Sequence, residues 1–437
     1  MLIVSYFALY MVVVFTSRVE PFLFLRIVFI GAPGAMCCLA LWSGSFVSPH
    51  MVYAQTEEYF RFAIILNAVG LVSARVGWYI GGAMAKASMP SPLVYTIGNT
   101  TLRNVVLALA FAVIIWFAEG RGDTIFEGRY GGEGSRSLPL GNVNAIINIL
   151  IATVLYFLLT KRSGREVFVF IVLAIVSKVV YANLIRGIRA DALDTLIMIF
   201  VIIGVYNSNY SKVRTSHIIF GLSFLIVLQF IGIVRSSFYT SGLGGLESFS
   251  IFRQSADSVF ISISTIGDIT ATFIGFLWLP DTGYALDAER TYLGYILRIP
   301  PEFLYPARPD DISWVFGEQG LTSGGGSFEL GEAYITFGLA GVVIVPMILS
   351  IVFSYLIGKL KVSPSSIVYF ILLASILAVF SRGAWYQTFA YFKSFVTGLM
   401  WLAPVLLTAR LTPNINVLQQ RSRDLRTISE KLRPWGR

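Results

Sequence analysis

The chain is poor in the residues that form most soluble active sites. Charged residues make up only 13% of its 437 positions, against about 25% in soluble domains, so a soluble globule could not hide its apolar surface. The two cysteines, Cys37 and Cys38, are adjacent in an apolar run, which argues against a disulfide or metal framework. The two histidines, His50 and His217, lie far apart. We therefore expect neither a metal nor an organic cofactor.

Several motifs of soluble enzymes are also missing. The glycine run at 324–326 lacks the lysine and strand context of a nucleotide-binding P-loop, and no GxSxG elbow or HExxH motif occurs. Residues 2–15 lack the basic start and the small-residue cleavage site of a signal peptide. The net charge of +9 comes mainly from loops that we assign to the cytoplasm, so it indicates topology rather than nucleic-acid binding.

What the chain has instead is apolar length. Hydrophobic residues make up 56% of it, and runs long enough to cross a bilayer recur from end to end. We predict an all-α polytopic integral membrane protein with about 11 transmembrane helices, within a range of roughly 10–14. The predicted spans are 2–16, 21–46, 60–82, 103–119, 143–160, 167–185, 190–207, 217–235, 331–358, 365–381 and 386–408.

These spans divide the chain into four parts. They are an N-terminal transmembrane bundle (1–235), a large periplasmic loop containing short helices (236–330), C-terminal transmembrane helices (331–408) and a basic cytoplasmic tail (409–437). Within the loop, the apolar run 259–279 is interrupted by Gly267 and Asp268. That run is either a re-entrant or interfacial helix, or a pair of further spans.

The lysines give the chain one orientation. Apart from Lys178 and Lys393, which fall inside predicted spans, the lysines lie on one set of loops and on the tail, which predicts a bacterial inner-membrane protein with a cytoplasmic C-terminus. The opposite, periplasmic face carries arginines but no lysine in this topology. Arginine grips phosphate oxygens with two parallel hydrogen bonds, so this face indicates an anionic, lipid-linked substrate. The alternative is that most of these arginines pair with nearby acids.

Arginines at two outer helix ends are candidate catalytic residues. Arg186 and Arg189 are three residues apart and would share one helix face. They could clamp a pyrophosphate, or they could pair with Asp191 and Asp194 instead. Arg382 is predicted at the mouth of a hairpin between two spans, where interfacial snorkelling is the alternative.

Glu332 is the candidate general base, because it stands where a polar loop enters an apolar helix. We expect it at the bilayer surface, where a carboxylate could take the proton of an attacking hydroxyl. Stabilising the helix dipole is the alternative role, and Glu329 and Asp268 are weaker candidates. Residues that could contact the substrate are Arg290, Arg298, Tyr334, Lys393, Lys178 and Asp191. For the two lysines, which fall inside predicted spans, pairing with Asp194 is an equal alternative.

Three segments resemble one known family. The run GSFELGEAYITFGLAGV at 326–342 resembles the loop-to-helix segment of bacterial oligosaccharide repeat-unit polymerases, the Wzy class of O-antigen polymerases, with Thr336 where asparagine is common. The run RGIRADAL at 186–193 is similar to an arginine-bearing helix start of that family, and SRG at 381–383 is similar to its late arginine. The order of spans and the large late loop also match.

The resemblance implies a metal-independent glycosyltransferase of O-antigen and lipopolysaccharide biosynthesis. It would move a growing glycan from undecaprenyl pyrophosphate to the non-reducing end of another lipid-linked repeat at the periplasmic face. Arg186, Arg189 and Arg382 would stabilise the leaving pyrophosphate. The implied partners are the undecaprenyl-pyrophosphate-linked oligosaccharide, membrane lipid and a chain-length regulator, but no nucleic acid. Alternatives are an O-antigen ligase, expected to carry a loop histidine, and a non-enzymatic flippase or transporter, expected to show an internal repeat.

Overall fold

A computed structural model describes much of the chain, and its described residues are almost all helical. It describes residues 1–43, 57–87, 93–96, 104–106, 108–109, 143–161, 164–178, 189–206, 212–219, 221, 223, 267–282, 292, 294, 328–364, 366–385, 388–408 and 410–413. The helices are α1 (Leu2–Ser17), α2 (Pro21–Ser43), α3 (Glu57–Ala87), α4 (Val143–Lys161), α5 (Gly164–Lys178), α6 (Arg189–Tyr206), α7 (Gly267–Trp278), α8 (Glu329–Val362), α9 (Ile367–Leu377), α10 (Phe380–Trp385) and α11 (Phe389–Thr408). Two short strands, β1 (Leu93–Thr96) and β2 (Arg410–Pro413), pair antiparallel.

Among the described residues, three helices are long and apolar enough to cross a membrane. They are Pro21–Trp42, Glu57–Ala87 and Glu329–Val362. Shorter apolar helices add Leu2–Ser17, Ala145–Leu159, Ala192–Tyr206 and Ile367–Leu377. The structure therefore agrees with a helical membrane protein, and the full set of about 11 spans stays a prediction. Most of the predicted spans 103–119 and 217–235 lies outside the described residues.

Helices α3 and α8 pack side by side through glycine. A Cβ atom at Gly77 would collide with the carbonyl oxygen of Met347, and one at Gly81 would collide with that of Ile351. Small residues let two backbones approach this closely, which is a common way to join helices in a membrane. From the first pair to the second, the residue number rises by four in α3 and by four in α8. Helix α3 and this part of α8 therefore run parallel.

The chain reverses direction inside α8. Gly338 has a φ of +62°, which favours glycine. Ahead of it, Leu330 packs against Gly70, and the Tyr334 ring meets Phe62 edge-on at a centroid distance of 5.7 Å. Along these contacts the residue numbers of α8 rise while those of α3 fall. Residues 329–337 therefore run antiparallel to α3 and form what we call the re-entrant helix.

The re-entrant helix begins deep in the bundle. Gly70, which Leu330 contacts, lies thirteen residues after Glu57 (70 minus 57) at the start of α3. At 1.5 Å per residue this is roughly 20 Å along the axis of α3, close to its midpoint. Phe273 of α7 packs against Phe328 just ahead of the re-entrant helix, with ring centroids 5.0 Å apart.

Helix α7 is the described part of the apolar run 259–279 in the large loop. Its twelve described residues extend for about 18 Å. It packs inside the bundle, with Phe273, Ile274 and Phe276 wholly buried. Because residues 259–266 lie outside the described part, the choice between a re-entrant or interfacial helix and a pair of spans stays open.

One end of the bundle gathers the loops predicted to face the cytoplasm. Arg18 donates hydrogen bonds to the Val213 carbonyl (3.2 Å) and the Thr215 hydroxyl (3.0 Å). Lys361 forms an ion pair with Glu20, and the Tyr206 hydroxyl donates to the Pro364 carbonyl at 3.0 Å. The loops after α1, α6 and α8 thus share one end, as a single orientation requires. That this end faces the cytoplasm stays a prediction.

Candidate functional site

A buried ion pair lies at the deep end of the re-entrant helix. Arg26 interrupts the apolar run FLFLRIVFI of α2, and each of its two terminal nitrogens donates to a different carboxylate oxygen of Glu329. Both side chains are fully buried. The guanidinium also lies 5.4 Å from the centre of the Phe353 ring. Removing one partner would strand a buried charge, which typically costs about 3–5 kcal/mol.

Glu332 lies on the same face of the re-entrant helix, three residues after Glu329, and is also fully buried. Its Oε2 atom accepts a hydrogen bond from the backbone N–H of Thr388 at 2.9 Å. Glu332 is therefore enclosed by protein rather than exposed, and its position relative to the bilayer surface stays a prediction.

Tyr292 brings the large loop to this carboxylate. Its ring stacks on Phe337 at a centroid distance of 5.8 Å. Burial, and next the charge of Glu332, raise the pKa of the Tyr292 hydroxyl well above its ordinary value. A neutral phenol beside a carboxylate can donate a hydrogen bond to it or pass a proton. Tyr292 was not among the predicted catalytic residues.

Arg382 lies half-buried on α10, and three contacts hold this short helix. The backbone N–H of Ser381 donates to Asp194 Oδ1 of α6 at 2.5 Å. The Tyr391 hydroxyl of α11 donates to the Phe380 carbonyl at 3.0 Å. The Trp385 indole N–H donates to the Phe29 carbonyl of α2 at 2.9 Å. Helices from three parts of the sequence thus determine where Arg382 lies.

The contact to α6 belongs to a larger polar network. Asp194 and the neighbouring Thr195 are both buried. The Thr195 hydroxyl donates to Asn148 Oδ1 at 2.9 Å, and the Asn148 amide donates to the Ala378 carbonyl at 3.0 Å. Ala378 follows the last residue of α9, so the network also satisfies a carbonyl at a helix end.

The remaining predicted site residues are only partly placed. Arg189 and Asp191 lie in the first turn of α6, whose next turn contacts α10, but their side chains are not described. Tyr334 and Lys393 are half-buried, and Lys178 is buried at the end of α5. Three arginines lie outside the described residues, namely Arg186, Arg290 and Arg298. The arrangement of the proposed pyrophosphate clamp therefore stays a prediction.

Besides Tyr292, two residues of the buried cluster around Glu329 and Glu332 were not predicted from the sequence. Arg26 had a clear signal, because it is a lone charge within an apolar run, and ionisable residues inside membrane helices are often functional. Tyr391, whose hydroxyl lies near enough to Arg26 to interact electrostatically, is one of 21 tyrosines. Nothing in its local sequence separates it from the aromatic residues that line membrane interfaces.

The site combines two buried acids, Glu329 and Glu332, with the buried guanidinium of Arg26. The half-buried guanidinium of Arg382 lies on α10. Glu332 and Tyr292 could move a proton, and Arg382 could neutralise an anionic group. Within the described ranges, no group of three or more histidine, cysteine or acidic side chains could hold a metal ion.

No protein-family model matches the chain, and no curated protein and no solved structure matches it either.

Proposed function

We propose that the protein is a polymerase of lipid-linked oligosaccharide repeat units. One observation supports the proposal: hydrogen bonds at or just beyond the ends of the segments that resemble the polymerase family connect them in the fold. Glu332, in the first segment, accepts a hydrogen bond from Thr388, which closely follows the SRG segment. Ser381 of the SRG segment donates to Asp194, which directly follows the RGIRADAL segment. Residues far apart in sequence thus form one neighbourhood.

The proposed reaction is a glycosyl transfer at the outer membrane face. A hydroxyl of the acceptor repeat attacks the anomeric carbon of the donor glycan, and the bond from that carbon to the undecaprenyl pyrophosphate oxygen breaks. The hydroxyl proton passes to Glu332, directly or through Tyr292. Arg382, with Arg186 and Arg189, carries the negative charge that develops on the departing pyrophosphate. Atoms and charge balance without a metal ion.

The broken helix also favours a second candidate, a transporter or flippase of the same lipid-linked glycan. Many transporters bind substrates at interrupted helices whose half-helix ends lie inside the bundle, and residues 329–337 have this form. An O-antigen ligase would use the same donor but a different acceptor. The three functions differ in product: a glycan ladder, a moved lipid, or glycan attached to another carrier.

Reconstitution distinguishes these functions. The purified chain in liposomes receives a synthetic undecaprenyl-pyrophosphate-linked repeat, and the products are separated by size. We expect a ladder of lipid-linked glycans, with free undecaprenyl pyrophosphate released in proportion to the linkages formed. Movement of the repeat across the bilayer without any ladder would favour the transporter. If the reconstituted protein makes no ladder and cells lacking the gene still make one, the protein is not the polymerase.

A further inference from the structure

We propose that Arg26 is a positioning residue for this site. Its forked ion pair with Glu329 sets the depth and rotation of the re-entrant helix and so aims Glu332. This inference rests on the proposed function, because the aimed carboxylate is the proposed base.

The hinge of the re-entrant helix cannot set its position alone. Apart from its chain neighbours and the nearby backbone of its own helix, no described residue has an atom within 4 Å of a Cβ built at Gly338. Its φ of +62° is one that glycine adopts freely. The orientation of residues 329–337 must therefore come from contacts along their sides.

Most of these side contacts are apolar and have little directional preference. Leu330 packs on Gly70, and Phe276 packs on Gly331. Such contacts resist separation but permit small rotations and slides. The pair between Arg26 and Glu329 differs, because two parallel hydrogen bonds constrain both distance and rotation. Since Glu329 and Glu332 share a helix face, a rotation fixed at one is fixed at the other.

Arg26 also relates Glu332 to Arg382. On the same helix, Phe22 and Phe29 each pack against Phe380 of α10, with ring centroids 5.1 Å apart in both pairs. Helix α2 therefore contacts the re-entrant helix through Arg26. It also contacts α10, which carries Arg382, through the rings of Phe22 and Phe29. One rigid helix thus fixes the proposed base relative to the proposed cation.

The test must separate positioning from folding. Replacing a buried ion pair with apolar residues often preserves stability, so the main variant is Arg26→Met combined with Glu329→Leu. Helix position is read from a disulfide between Gly70→Cys and Leu330→Cys, which replace two residues in contact. Cys37→Ala and Cys38→Ala provide the background. Polymerisation is measured on the same proteins reconstituted in liposomes.

We expect the double variant to fold with a melting temperature near that of the parent. The disulfide yield should fall at least about 3-fold. The kcat should fall at least about 10-fold while KM changes less than about 2-fold, because a displaced general base slows the chemical step without weakening substrate binding. A folded variant in which either the disulfide yield or kcat stays normal overturns the proposal.

Arg26→Lys keeps the charge but loses the fork, and it covers the case in which the double variant does not fold. We expect it to lower disulfide yield and kcat together, and unchanged values of either overturn the proposal. The proposed function fails separately. If the parent protein makes no polymer, the polymerase is wrong, whereas the disulfide yield still reports whether Arg26 sets the helix.

Discussion

The indole N–H of Trp385 donates to the carbonyl oxygen of Phe29 at 2.9 Å, which is the carbonyl that Pro33 leaves without its helical donor. Proline has no N–H, so residue 33 cannot bond to the carbonyl four residues earlier. The next two carbonyls of α2 also accept side-chain hydrogen bonds, from Asn67 to Ile30 and from Tyr6 to Gly31, each at 2.8 Å. The part of α2 around Pro33 is thus a junction for α1, α3 and α10.

Trp385→Phe tests this junction. The variant keeps a ring stacked on Phe29 but leaves its buried carbonyl without a donor, which should cost about 1–3 kcal/mol. The melting temperature in detergent measures this loss. Pro33→Ala is the matched background, because it restores a backbone N–H at position 33. In that background Trp385→Phe should cost clearly less, and an equal cost in both would contradict the assignment.

Arg382→Lys tests the proposed cation. The substitution keeps the charge but loses the bidentate fork, so ladder formation should slow by about 10-fold or more while the melting temperature stays near that of the parent. Arg61→Lys is the matched control, since Arg61 is exposed and pairs with Glu57 within α3. Normal ladders from the Arg382 variant at normal protein levels would give this arginine a structural role.

Glu332→Gln tests the proposed base. Glutamine keeps the size of the side chain and an oxygen that can accept from Thr388, so the fold should survive. Loss of a general base lowers the rate by about 10²–10⁴-fold, measured as ladder growth in liposomes. Glu57→Gln, at an exposed acid, is the control. Near-normal growth from the Glu332 variant would leave the carboxylate a structural role only.

Glu20 gives a pH prediction outside the spans. Burial raises the pKa of Glu20 above its ordinary 4.5, and Lys361 opposes that shift only in part. Its stabilising contribution is therefore complete below about pH 4.5 and is lost as pH rises through the raised pKa. Measured between about pH 4 and pH 8, the melting temperature of Glu20→Gln should rise relative to the parent as pH increases. A constant difference would contradict this.

The orientation has a direct test. A cysteine placed at Gly325, in the predicted external loop, should react with a membrane-impermeant maleimide in intact cells, and a cytoplasmic reporter fused after Arg437 should be active. Cys37 is fully buried, and Cys38 lies beside it in the core, so both should remain unlabelled. Protection of the Gly325 site until the cells are opened would reverse the predicted topology.

The helices were predictable where apolar length alone decides. The run at 60–82 became α3, and the runs at 143–160 and 190–207 became α4 and α6 with small shifts at their ends. An apolar segment leaves water wherever it lies, so hydropathy locates it without knowledge of its neighbours.

Direction and burial were not predictable in the same way. Hydropathy carries no direction, so residues 329–362 look like one crossing, although the chain reverses at Gly338. The change from polar to apolar sequence at Glu332 likewise gave no indication that its side chain is enclosed by protein. Arg26 finds its partner 303 residues away, and such a distant pairing is visible only when the two helices are packed.

The two parts of α8 on either side of Gly338 have different surroundings. After Gly338, the side chains of Leu339, Ile344 and Ile348 are exposed apolar groups that suit contact with lipid chains, whereas Glu329 and Glu332 before it are enclosed by protein. A bilayer of another thickness would act first on the crossing segment, through tilt or local stretching. Contacts with α2 and α3 fix the position of the re-entrant helix that carries Glu332. The geometry around this carboxylate would therefore be the same in thin and thick membranes.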